Sequence, residues 1–368
     1  MNYLQQLLKD QKVEWKKLGE VCDVQRGRRL TKKDMIEDGE YLVYQNSMIP
    51  LGRYNKYNVK GGTTYVICAG SAGEIGYSSE DFWAADDVSY FECPEFVHSK
   101  FVYYYLLTQQ QRILQQVRRA GVPRLAPDVL RQLPIPLPPL SVQSRIVEIL
   151  DKFTALEAAL EAELELRKKQ YQPYREQLLN FSSIPPPHEF NVIWRKLGEV
   201  CDVLRGRRLT KKQLSQDKEG FAVFHGGIVP IGYYPTANRK ANSTMVINVG
   251  ASAGTVGYSR EKFWSSDGCF CFTESPILLQ RFLFYYLQSI EHKVKSKVRV
   301  AGIPTLDANI LYNLELPLPP LSVQSRIVEI LDKFDTLTNS ITEGLPLEIK
   351  LRRQQYEYYR EQLLDFRH

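Results

Sequence analysis

The run PLPPLSVQSRIVEILDKF occupies residues 136–153 and recurs without change at 317–334. A proline pair leads into Ser141 or Ser322, residues that cap helix N-termini well, and no glycine follows. Both copies therefore open a long helix. In the first copy the apolar positions continue as Ile146, Ile149, Phe153, Leu156, Leu160, Leu164, Tyr171, Tyr174, Leu178 and Phe181. In the second they are Ile327, Ile330, Phe334, Leu337, Ile341, Leu345, Ile349, Tyr356, Tyr359, Leu363 and Phe366. Steps of three and four describe a coiled-coil seam. Residues 141–181 would measure about 60 Å if fully helical. Pro173 predicts a kink near the end of the first helix, and Gly344 and Pro346 predict a break in the second.

Further matches lie on both sides of this segment. VEWKKLGEVCDVQRGRRLTKK (13–33) pairs with VIWRKLGEVCDVLRGRRLTKK (192–212). AGSAGEIGYSSEDFW (69–83) pairs with GASAGTVGYSREKFW (250–264), and AGVP (120–123) with AGIP (301–304). QYQPYREQLLNF (170–181) pairs with QYEYYREQLLDF (355–366). A separation of roughly 180 residues is far beyond the ~20–50-residue period of a solenoid, so a whole domain unit is duplicated. A third fragment, Tyr3–Leu8, resembles the end of each unit at Tyr174–Leu179 and Tyr359–Leu364. It predicts that the two chain ends lie close together.

Each unit divides in two. Its leading segment is rich in Gly, Tyr and Phe. Thr64–Cys68 and Thr244–Asn248 read as strands that run into glycine turns. Phe101–Leu107 and Phe282–Leu287 open helices. The expected architecture is α+β: two tandem α+β domains, 1–135 and 183–316, separated by two long antiparallel helices, 136–182 and 317–368, about an approximate two-fold axis. The short, stiff segment Ser182–Phe190 would let the second helix return along the first. The alternative is that each helix packs on its own domain.

With 368 residues, 43% hydrophobic and 24% charged, the chain affords several packed cores. No apolar run approaches the ~18 residues that cross a bilayer. Met1–Trp15 lacks the apolar segment of a signal peptide. Six cysteines without a CxxC pair fit a reduced cytoplasmic protein. A net charge of +6 permits a polyanionic partner without demanding one.

Catalytic patterns are lacking. No GxxxxGK[ST], HExxH or GxSxG occurs. The histidines, His98, His188, His225, His292 and His368, share no metal-ligand spacing, and Cys269 and Cys271 read as core residues on one strand face. Gly70–Gly76 and Gly250–Gly257 read as tight hairpins rather than nucleotide loops. Asp86 and Asp267 match, but Asp87 faces Gly268, so only one carboxylate per unit persists. Glu348-Ile349-Lys350 has no counterpart in the first unit and reads as a solvated helix face.

Positive charge beside turns is the positive signal. Arg26-Gly27-Arg28-Arg29-Leu30-Thr31-Lys32-Lys33 is identical to Arg205–Lys212. Dense cations around a glycine suit a loop tracking a phosphate backbone. A second cluster holds Arg112, Arg118, Arg119 and Arg124, and its counterpart Lys293, Lys295, Lys297 and Arg299. The DNA-contacting residues expected are Arg26, Arg28, Arg29, Lys32, Lys33, Arg118, Arg119 and Arg124 in the first unit. In the second they are Arg205, Arg207, Arg208, Lys211, Lys212, Lys297 and Arg299. The segments Met35–Asn46 and Leu214–His225, by contrast, diverge between the units.

These residues resemble the specificity subunit of type I restriction-modification systems. The resemblance rests on the doubled PLPPLSVQSRIVEILDKF segment and the doubled W-x-K-L-G-E-V opening, and covers nearly the whole chain. It implies a non-catalytic subunit whose two recognition domains each read half of a split DNA site. It implies that the helices set the half-site gap and dock two methyltransferase subunits, to which a translocating nuclease subunit can be added. AdoMet, ATP and Mg²⁺ would belong to those partners, with no cofactor here. One departure is that the glutamate common after the Pro-Pro-Leu element is replaced by Ser141-Val142. Rival readings are a self-sufficient nuclease or methyltransferase, and a scaffold whose heads bind protein.

Overall fold

Strand Thr63–Ile67 is buried on both faces, and its alternating side chains divide between two cores. Val66 joins a cluster with Phe91, Phe101, Leu106 and Ile113. Tyr65 and Ile67 join Val59, Phe82, Ala84 and Val88. A computed structural model describes residues 3–9, 11–181, 191–217, 219–340 and 342–366. The expected linker Ser182–Phe190 lies outside them. Two compact units result, Met1–Glu161 with Glu348–His368, and Ala162–Leu347.

In the first unit a four-stranded antiparallel sheet runs in the order Asp23–Arg26, Val88–Glu92, Thr63–Ile67, Ile75–Ser78. A three-stranded sheet places Tyr41–Tyr44 between antiparallel Gly52–Tyr54 and parallel Phe82–Ala84. Glu14–Lys17 pairs with Pro134–Leu137, where Trp15 faces Pro136. Prolines are tolerated there because a two-stranded ribbon leaves one edge unpaired. Helix Ser99–Thr108 covers the larger sheet, and Thr64 Oγ1 donates to Ser99 O at 2.7 Å.

The second unit repeats the design. Its larger sheet runs Val203–Arg205, Cys269–Phe272, Ser243–Ile247, Val256–Ser259. Phe221–Phe224 lies between Gly232–Tyr234 and Trp264–Ser265. Ile193–Lys196 pairs with Glu315–Leu318. Val246 faces the core of Phe282 and Leu287, while Met245 and Ile247 face Phe263, Cys269 and Cys271. The two cysteines are core residues, as their spacing implied, and all six cysteines are free.

The long helix is continuous from Leu140 to Leu179 and includes Pro173. Its residues to Glu161 belong to the first unit and those from Ala162 to the second. The later helix is in two pieces, Leu321–Asn339 and Gly344–Leu364. Gly344 at φ +74 makes the turn, and Ser340 Oγ accepts from Glu343 N at 3.0 Å.

Helices pair inside each unit, and in the first the pairing is antiparallel. In the first, Phe153 stacks on Tyr359 with ring centroids 5.4 Å apart. One helical turn on, Arg353 donates to Glu157 at 2.7 Å and Glu161 at 3.1 Å. In the second, Tyr171 and Tyr174 pack on Phe334. The early turns pack differently: Val142, Ile146, Val147 and Leu150 are buried in the core of their own domain. Further along, Leu156 and Tyr174 remain 40% and 38% exposed. The helices thus bury apolar surface first on their domains and then on one another.

The chain ends meet in the first unit, as the third repeat fragment predicts. Leu4, Leu363, Leu364 and Phe366 share one core with Phe101, and the Phe101 and Phe366 rings lie 6.1 Å apart. Phe181 and Phe282 form the equivalent pair in the second unit, at 6.3 Å.

Candidate nucleic-acid interface

The duplicated Arg-Gly-Arg-Arg loop leaves the end of the first strand of each large sheet. Gly27 is pressed against the turn after Phe82–Ala84: a Cβ there would stand 2.1 Å from Ala85 O and 2.4 Å from Ala84 O. Gly206 meets Ser266 O and Ser265 O in the same way. Backbone bonds hold the approach. Gly27 N donates to Val88 O and Arg28 N to Ala84 O, both at 2.9 Å, and Arg207 N donates to Ser265 O at 3.0 Å. Trp83 and Trp264 donate their indole N–H to Arg28 O and Arg207 O.

The backbone is therefore clamped while the cations face outward. Arg28, Arg29, Lys32, Lys33, Arg207, Arg208, Lys211 and Lys212 are exposed, and none joins an ion pair among the described residues. Thr31 and Thr210 cap the turns that carry the lysines, through Asp34 and Gln213. Those two hydrogen bonds from Thr31 hold the Asp34 carboxyl below its ordinary range.

Arg26 and Arg205 are exposed too, but each donates to a backbone carbonyl, Asp86 O at 2.7 Å and Asp267 O at 3.2 Å. In the first unit this brings the two basic clusters together. Arg26, Asp86, Asp87, Arg118 and Arg124 line one cavity of about 270 Å³. Unlinked by sequence distance, they meet because a small hairpin folds back on the sheet. Arg118 and Arg124 exchange backbone bonds of 2.9 and 3.0 Å, and Leu125 N donates to Cys68 O. Arg299 and Thr305 form the equivalent hairpin, so the cation at 124 has no counterpart at 305. Arg118, Arg119, Arg124, Lys297 and Arg299 are exposed. Lys295, by contrast, is engaged by Glu291 at 2.6 Å.

The glycine segments join these elements. Gly70 and Gly73 at φ +82 and +95, and Gly250 and Gly254, both at +87, turn the chain where a side chain would be strained. Gly70 N donates to Pro123 O and Ser71 N to Asn46 O; Gly250 N donates to Pro304 O. They are structural turns that seat the basic hairpin.

Two polar locks, the first buried and the second half-buried, fasten each domain to its helix, and sequence reasoning passed over both. Gln143 is 1% exposed; it accepts from His98 N and donates to Phe96 O and Pro138 O. Gln324 does the same with Leu279 N, Ile277 O and Pro319 O. One helical stretch later, Asp151 receives Tyr104 OH at 2.5 Å and Lys100 at 2.9 Å. Asp332 receives Tyr285 and Arg281. Burial, reinforced by the carboxylate, pushes both tyrosine hydroxyls well up. The signal was available: Gln and Asp lie within the longest run identical in both units.

Among the described residues no group of His, Cys, Asp and Glu could hold a metal ion, and no helix is long and apolar enough to cross a membrane. The family model for the type I restriction modification DNA specificity domain matches residues 11–166 and again 191–351. The chain belongs to this family. It is 32% identical to a putative type I restriction enzyme specificity subunit from Haemophilus influenzae, over 99% of this chain and 98% of the relative. It is 30% identical to a type I restriction enzyme specificity subunit from Escherichia coli, over 100% and 97%. The S subunit of a type I restriction-modification system from M. genitalium superposes with a TM-score of 0.68, covering 96% of each chain at 19% identity. The HsdS subunit from Thermoanaerobacter tengcongensis gives 0.54, over 97% of each at 18% identity. These two speak for the fold alone. Two specificity domains per chain account for the doubled Pro-Pro-Leu-Ser segment and the doubled cationic loop.

Proposed function

We propose that the chain is the non-catalytic, cytoplasmic DNA-reading subunit of a type I restriction-modification complex, each unit engaging one half of a bipartite duplex site. The observation that carries this is the duplicated cationic face. In both units a glycine clamps the loop backbone against a neighbouring turn and leaves four cations exposed and outside any ion pair among the described residues. Such groups bind phosphates by releasing counterions, without reading sequence. The segments that differ, Met35–Asn46 and Leu214–His225, supply the base contacts. The domains 1–135 and 183–316 are the readers, and the helices of 136–182 and 317–368 set the half-site gap and dock two methyltransferase subunits. A translocating nuclease subunit can be added to that assembly. AdoMet, ATP and Mg²⁺ chemistry belongs to those partners.

The test is a salt titration of duplex binding by anisotropy. Arg28→Ala or Arg207→Ala should weaken binding to all sequences alike and reduce the logarithmic salt slope by about 1. An unchanged slope in both variants would count against the phosphate role. Co-purification with a methyltransferase subunit, followed by mapping of methylated adenines, should return a bipartite motif with a fixed gap.

A further inference from the structure

Each unit carries an aliphatic side chain at the very tip of its basic hairpin. Val122 is 61% exposed and Ile303 69% exposed. Single exposed aliphatics are ordinary on protein surfaces. These two are matched between the units, as are Ile49 and Val229, but of the two pairs only Val122 and Ile303 stand at the tip of a basic hairpin. Each stands between a glycine and a proline, Gly121 and Pro123 or Gly302 and Pro304. The glycines, at φ +78 and +82, have no atom within 4 Å of where a Cβ would lie, so the tips project into open space. Pro123 O and Pro304 O accept from Gly70 N and Gly250 N, which anchors each tip to the sheet. A β-branched side chain on an anchored turn has little conformational freedom left to lose on binding.

The surroundings select the partner. Arg118, Arg119 and Arg124 flank Val122, and Lys297 and Arg299 precede Ile303, all exposed. An apolar tip on a cationic stem complements a stacked polyanion rather than an apolar protein surface. We infer that Val122 and Ile303 are wedges that enter a groove of duplex DNA and pry open a single base step in each half-site, while the stem cations hold the flanking phosphates. This rests on the DNA-reading function proposed above. Apolar wedges that partly unstack a step are a known means of deforming DNA at the expense of stacking energy, which also makes the bound sequence matter.

The experiment uses the full chain and a randomised duplex pool. Duplexes enriched by the wild-type chain are resynthesised with 2-aminopurine at successive positions, and fluorescence is read on binding. A rise is expected at one step per half-site. Val122→Ser should abolish the rise in one half and Ile303→Ser in the other. Each variant should lose roughly tenfold in affinity, as for one mismatched base pair, and keep its salt slope because no charge changes. Ile49→Ser is the comparison variant: Ile49 is 78% exposed and precedes Pro50, yet lies outside the basic hairpin, so the rise should persist. Enrichment with no fluorescence rise, or a rise that survives Val122→Ser and Ile303→Ser, overturns the wedge alone. A pool that shows neither enrichment nor salt-dependent binding overturns the DNA reading and the wedge with it.

Discussion

Gly27 and Gly206 show how one missing side chain places a charged loop. Neither needs a left-handed backbone; each is required by the carbonyl oxygens 2.1 Å from its absent Cβ. Gly27→Ala or Gly206→Ala must therefore push the loop off its neighbouring turn, at a cost of about 1–3 kcal/mol. Urea unfolding should show that loss. Duplex binding should weaken as well, since Arg28 and Arg29 move with the backbone. Unchanged stability would mean that the loop shifts freely and is not clamped.

At the scale of elements, the junction between domain and helix depends on buried polar groups. Gln143→Leu or Gln324→Leu would strand one amide N–H and two carbonyls at each junction. An unsatisfied buried group costs about 1–3 kcal/mol, so each variant should lose at least about 2 kcal/mol by urea titration. Retained stability would show that water replaces the amide. The neighbouring cap distinguishes the two units. His98 Nδ1 accepts from Lys100 N at 3.2 Å, where the second unit has Leu279 as cap residue. Burial lowers His98 from its ordinary 6.5; Asp151 opposes this and Lys100 adds to it. The folded first unit thus binds this proton less readily than the unfolded chain, and stability is lost as pH falls from about 6.5 toward the lowered value. Hydrogen exchange at the Lys100 amide should accelerate between about pH 7.5 and about pH 5.5 beyond its intrinsic pH dependence. His98→Leu should remove that excess, and an excess that persists in this variant would assign it elsewhere.

For the whole molecule, the order of residues along the chain is not the order of the folding units. The last helix completes the first unit: Leu363, Leu364 and Phe366 lie in the core of Phe101 and Leu4. A chain ending at Leu351 should lose that core closure while keeping Phe181 against Phe282 in the second unit. Hydrogen exchange should show selective deprotection of Ser99–Thr108, with Gln280–Ser289 unchanged. Equal protection of both helices would mean that the last helix adds little to the first unit.

Sequence alone determined the duplication, the helix starts at the Pro-Pro-Leu-Ser segments, the break at Gly344 and the paired cationic loops. All of these depend on local chemistry: a proline, a glycine, a run of like charge. Ser141 and Ser322 are not the caps expected, because the helices already start at Leu140 and Leu321, with Pro320 as the N-cap of the second. The sequence also foresaw the strands Thr63–Ile67 and Ser243–Ile247 to within a residue. Only the folded chain decided that Arg26 and Arg118 line one cavity, that Gln143 and Gln324 are buried locks, and that Lys295 is engaged by Glu291. Those outcomes depend on which distant backbone groups come within hydrogen-bond reach. No local pattern encodes that reach, because packing of the sheets and helices brings the partners together.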